Sequence, residues 1–114
     1  MSNMVWHNLE ENNQLDAIIV ESSEYPVLIF KHSTRCSISS MAKNRVERAW
    51  NFEEEQLKVY YLDLIAYRDI SNQIAETFEV EHESPQILLI KDGQCIYNAS
   101  HNGISVDNLE AELV

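Results

Sequence analysis

The chain has 114 residues, 45% of them hydrophobic and 9% aromatic, and a formal net charge of −11 at pH 7. That length and composition predict one globular domain, residues 1–114, with a core that needs no metal or disulfide staple. The negative charge excludes nucleic acid and anionic membrane surfaces as main partners, because their phosphates demand Lys and Arg.

The first residues carry no basic segment followed by an apolar one, and no apolar run approaches the ~20 residues of a membrane span. The sequence therefore reads as soluble and unexported. Its two cysteines, Cys36 and Cys95, lie too far apart for a disulfide framework. A reducing, cytoplasmic setting is expected.

Residues 4–9 are a candidate first strand and residues 13–22 a helix, with Asn12 or Asn13 as cap and Leu15, Ile18 and Ile19 on one face. After Pro26, the apolar run VLIFK at 27–31 predicts a strand buried on both faces. Residues 32–35 (HSTR) read as a polar loop. Residues 36–52 read as a long helix whose stripe is Ile38, Met41, Ala42, Arg45, Val46, Ala49 and Phe52, spoiled only by Arg45. A strand follows at 57–63, with the solvated acidic run 53–55 before it, and then a helix over Arg68–Phe78. Gln86–Lys91 predicts another buried strand, Asp92-Gly93 a tight hairpin, and Gln94–Ser100 the returning strand. Residues 105–114 close the chain as a helix capped by Ser105. The order β-α-β-α-β-α-β-β-α predicts an α/β domain with a mixed four- to five-stranded sheet flanked by helices on both faces.

Cys36 stands at the start of the long helix, directly after the first buried strand. Unpaired backbone N–H groups and the positive end of the helix dipole stabilise an anion there, and the thiolate is the reactive form of cysteine. Arg35, Lys31 and His32 add to that field, and Ser37 and Ser39 are placed to donate hydrogen bonds to the sulfur. The local pattern is Cys36-Ser37-Ile38-Ser39, a C-x-x-S. Ser39 occupies the place of a resolving thiol and cannot resolve, so the expected cycle is monothiol. Cys36 attacks a mixed disulfide, keeps the small-thiol half, and is cleared by an external thiol.

The run K-H-S-T-R-C-S-I-S at 31–39, Ser84-Pro85 before the next-to-last strand, and Asn102-Gly103 before the last helix together resemble the YtxJ family of monothiol bacilliredoxins. The resemblance covers nearly the whole chain. It implies a thioredoxin-like fold, residence in the cytoplasm, and removal of bacillithiol from protein mixed disulfides. Cys36 is then the catalytic thiol. Pro85 is a cis-proline whose preceding residue, Ser84, offers backbone groups to an extended substrate. Arg35, Ser39 and Gly103 complete the expected substrate-binding set. The implied partners are bacillithiol, a co-substrate rather than a bound cofactor, and bacillithiolated proteins. Such proteins often carry proline after the cysteine, where this chain has Ser37.

Five of the eight basic residues, Lys31, Arg35, Lys43, Arg45 and Arg48, fall between positions 31 and 48, opposed there only by Glu47, a local charge of about +4. Bacillithiol carries a malate group, so this segment is a candidate docking field. Cys95, within a hairpin strand, reads as structural. His7, His82 and His101 have no ligand spacing with the cysteines, so no metal site is expected. Trp6, Trp50, Tyr60, Tyr61 and Tyr67 read as packing. Two other readings stay open at this point: a C-x-x-S redoxin serving another small thiol or an iron–sulfur cluster, and a non-catalytic binding module.

Overall fold

A computed structural model describes residues 4–113. In chain order it contains β1 (Trp6–Asn8), α1 (Asn13–Glu21), β2 (Val27–His32), α2 (Ser37–Ala49), β3 (Lys58–Asp63), α3 (Arg68–Phe78), β4 (Gln86–Lys91), β5 (Gln94–Ser100), a 3-10 turn (His101–Gly103) and α4 (Val106–Leu113). The order expected from sequence is reproduced. Val114, the expected last residue of the final helix, lies outside the described residues. Among those described, no helix is long and apolar enough to cross a membrane.

The five strands form one sheet in the order β1-β3-β2-β4-β5. β3 runs parallel to both β1 and β2, as crossover helices require. β4 runs antiparallel to β2, and β5 antiparallel to β4. The sheet is therefore mixed.

β2 is the middle strand, and all six of its residues are buried. Alternate side chains supply two cores. Leu28 and Phe30 pack with Ala42, Val46, Ile87, Leu89 and Leu109 on the α2/α4 face. Val27 and Ile29 pack with Leu15, Ile18, Ile70, Ile74 and Leu88 on the α1/α3 face. Burial of this kind contributes about 25 cal/mol per Å² of apolar surface removed from water.

The hairpin at Asp92-Gly93 has both residues at positive φ, 52° and 75°. That is the two-residue turn whose twist matches the strands. It is also tied to the end of α1, because Asp92 N–H donates to the Ser22 carbonyl and Gly93 N–H to Ser22 Oγ, each at 2.8 Å. Ser105 caps α4 as expected, its Oγ accepting from Asn108 N–H at 3.1 Å. Asn12 is the cap residue of α1 but makes no side-chain capping bond.

Helix α2 departs from the expected stripe. It ends at Ala49, and its buried residues are Ser39, Ala42 and Val46. Ile38 and Met41 point outward, 53% and 62% exposed. Phe52 is buried in the loop beyond the helix rather than on it.

Candidate active site

The end of β2, the start of β4 and the end of β5 meet at one end of the sheet. The register pairs Lys31 with Gln86, and Gln86 with Ser100. Three connections therefore emerge side by side: residues 33–36 leading into α2, Ser84-Pro85 leading into β4, and the His101–Gly103 turn. The sequence places the chemistry-bearing residues in these three segments.

Cys36 is the N-cap of α2, in extended conformation, with φ −112° and ψ 121°. Its N–H donates to the Ser33 carbonyl and its carbonyl accepts from Ser40 N–H, both at 3.1 Å. The backbone is thus fixed from both sides. The side chain makes no capping hydrogen bond. The thiol is free and only part-buried, so it remains open to a reaction partner.

Ser39 has no exposed surface. Its Oγ accepts from Ser33 N–H at 3.0 Å and lies 2.6 Å from His32 Nδ1. Its hydroxyl is committed to the loop and to β2, not to the sulfur, and it offers a substrate no surface. His32 is the last residue of β2 rather than part of an exposed loop, and it is buried against Phe30 and Tyr61. Burial, with the nearby Lys43 ammonium, pushes its protonation below the usual histidine range.

The Ser84-Pro85 peptide is cis, as the resemblance implies. Pro85 is buried and Ser84 half-buried. The Pro85 carbonyl accepts from His101 N–H at 3.1 Å. Among the described residues, the Ser84 N–H and carbonyl have no protein partner. An unpaired backbone edge is what an extended peptide needs to pair with. Gly103 is exposed in the adjoining turn.

The expected basic field is largely dismantled. Lys31 is fully buried on the other face of the sheet, where Nζ donates to the Ser71 carbonyl at 3.2 Å and lies 3.4 Å from His82 Nδ1. Burial pushes its pKa down to about 8. Lys43 pairs with Glu47 at 2.9 Å and lies 5.0 Å from the centre of the Trp6 ring. Arg45 is spent on backbone carbonyls of the turn. Arg35 and Arg48 remain exposed, with no ion-pair partner among the described residues. Only Arg35 adjoins the thiol.

Cys95 is part-buried, its Sγ donates to the Tyr97 carbonyl at 3.3 Å, and burial pushes its thiol up. Trp50 is buried and Trp6 is a rim residue whose Nε1–H donates to Glu47 at 2.8 Å. Among the described residues no His, Cys, Asp and Glu cluster has the makings of a metal site.

The sequence profile described as monothiol bacilliredoxin BrxC matches residues 7–109. The chain belongs to the monothiol bacilliredoxin family. Among solved structures, one described as a candidate oxidoreductase with a thioredoxin fold is 32% identical, with a TM-score of 0.80 over 96% of this chain and 93% of that one. Thioredoxin from Malassezia sympodialis is 20% identical, with a TM-score of 0.71 over 99% and 91% of the two chains. Thioredoxin from Nicotiana alata is 16% identical, with a TM-score of 0.70 over 99% and 93%. The last two show the fold alone. Family and fold together support a thiol redox role for this bacilliredoxin.

Sequence reasoning names His32 and Arg45 but misplaces both. His32 reads as part of a loop, although the alternation of Leu28, Phe30 and His32 along one strand places it facing α2. Arg45 reads as part of a basic docking field, and no sequence signal reveals that its guanidinium reaches a turn 56 residues away.

Proposed function

We propose that this chain is a monothiol thiol–disulfide oxidoreductase of the YtxJ type that removes bacillithiol from protein mixed disulfides in the cytoplasm. The observation that carries the reading is a part-exposed thiol, Cys36, at the mouth of α2, with a buried hydroxyl, Ser39, where a resolving sulfur would stand. Among the described residues the site holds no second thiol to expel a bound one from within.

The Cys36 thiolate attacks the bacillithiol sulfur of the mixed disulfide. One S–S bond forms between Cys36 and bacillithiol as the other breaks, and the protein thiol leaves as thiolate and takes up a proton. A second low-molecular-weight thiol then attacks the Cys36 adduct, leaving a small-molecule disulfide and the free Cys36 thiol. Ser84 pairs with the substrate backbone through its free N–H and carbonyl, beside Pro85. Arg35 receives the malate carboxylates, and Gly103 leaves room for the incoming chain. Ser39 acts through the loop it ties down.

The deciding experiment mixes reduced protein with a bacillithiol-blocked substrate and records intact mass. One bacillithiol adduct is expected in the wild type and in Cys95→Ser, and none in Cys36→Ser. An adduct that survives Cys36→Ser overturns the assignment. Equal turnover of a glutathione-blocked substrate overturns the choice of thiol.

A further inference from the structure

Arg45 is the one charge within the apolar spacing expected of α2. Its Nη2 donates to the carbonyls of His101, at 3.1 Å, and Ile104, at 3.3 Å. These two carbonyls bracket the 3-10 turn between β5 and α4.

The turn is held from three sides. Arg45 holds it from α2. Asn108 Nδ2 donates to the Gly103 carbonyl at 3.3 Å from α4. Its own His101 N–H donates to the Pro85 carbonyl at 3.1 Å. His101 also sits at φ 52°, left-handed backbone that a non-glycine residue keeps only where its surroundings impose it. Beyond the β2–β4 pairing and the shared core, a polar connection from α2 to the segment before β4 therefore runs through one guanidinium and one short turn.

We propose that Arg45 is a positioning residue, fixing the turn to α2 and thereby setting Ser84-Pro85 at its working distance from Cys36. The inference rests on Cys36 as nucleophile and on Ser84 as the pairing edge for a peptide. Its consequence is selective. A peptide substrate must meet Ser84 and Cys36 together, whereas a small disulfide needs only Cys36. Small displacements between binding edge and reacting atom are costly, since ~1 Å of misplacement can cost ~100-fold in rate.

The test compares two substrates in which Cys36 attacks the same bacillithiol sulfur, one releasing a peptide thiolate and the other bacillithiolate: an uncharged ten-residue peptide whose single cysteine carries bacillithiol, and bacillithiol disulfide itself. Arg45→Ala is expected to lower kcat/KM for the peptide about tenfold, mainly through KM, and to change the small disulfide less than about twofold. Arg45→Lys keeps the charge but loses the fork that reaches both carbonyls. It is expected to fall between wild type and Arg45→Ala, and it carries the test if the alanine variant does not fold. Equal losses on both substrates, no loss on either, or wild-type behaviour in Arg45→Lys would overturn the role of Arg45. A wild-type protein that turns over the small disulfide and ignores the peptide would instead overturn the substrate edge at Ser84, and a wild type inert to both would overturn the proposed function.

Discussion

His32 and Ser39 are joined by a 2.6 Å contact between Nδ1 and Oγ, which ties the end of β2 to the first turn of α2 across the loop that carries Cys36. Ser39 Oγ already accepts from Ser33 N–H. The imidazole tautomer sets which of the two donates in the contact with Nδ1. The hydroxyl thus partners a backbone N–H and a ring nitrogen in a place that water does not reach.

Ser39→Ala removes both bonds and leaves the buried Nδ1 without a partner. The expected loss is about 1–3 kcal/mol of unfolding free energy, read from urea denaturation with Cys36 kept reduced. A change within about 0.5 kcal/mol, as at ordinary surface positions, would show that the pair does not hold the loop.

Lys31 gives stability an unusual pH dependence. Its folded pKa is about 8 against an ordinary 10.5. Below pH 8 both folded and unfolded chains carry the proton, and the folded one bears the burial penalty. Between pH 8 and 10.5 the unfolded chain holds more protons, so stability rises with pH. Relative to Lys31→Met, the wild type is expected to gain about 3 kcal/mol across that window. A difference that stays flat with pH would contradict the buried charge.

Glu21 behaves in the opposite sense. Its carboxylate accepts from Lys58 Nζ and Tyr60 Oη, each at 2.7 Å. Burial opposes ionisation, but these two hydrogen bonds, with the charges of Lys58 and His7, together outweigh it and hold the carboxyl below its ordinary 4.5. A depressed folded pKa contributes stability above the unfolded value and loses it as pH falls through the folded one. Glu21→Gln is expected to cost about 1–2 kcal/mol at pH 7, with the gap closing in acid below pH 4.5. A gap that persists unchanged at pH 3 would assign the effect to shape rather than charge.

Arg35 is the exposed cation next to the thiol. Arg35→Ala is expected to slow reaction with anionic disulfides severalfold at 0.01 M salt and far less at 0.15 M, because the screening length shrinks from about 30 Å to about 8 Å. Reaction with a neutral disulfide should not change. Stopped-flow rates at the two salt levels decide it, and a salt-independent loss would assign Arg35 to local structure instead.

Much of the architecture was legible because its signals are local. VLIF and ILLI are apolar on every residue, as strands covered on both faces must be, and Asp92-Gly93 marks its own turn. Cys36 at the head of α2 followed from the same pattern, and the cis Ser84-Pro85 bond from the family resemblance. The inward face of α2 did not. Ser39 is polar yet buried, Ile38 and Met41 are apolar yet exposed, and a count of apolar residues turns the helix the wrong way. Lys31 was misread for a related reason. Its charge suggested surface, but its place in the middle strand of the sheet forced it inside. The clustering of cations in sequence therefore overstated their clustering in space.

The placement of β2 at the centre of five strands has a kinetic corollary. Central strands exchange their amide hydrogens last, while edge strands, turns and helix ends open at far lower free energy. Cys36 follows this protected strand by only four residues, whereas Arg45 and the His101–Gly103 turn belong to the periphery. The outer parts of the cleft can therefore breathe around a partner protein while the sulfur stays moored to the slowest-exchanging part of the molecule.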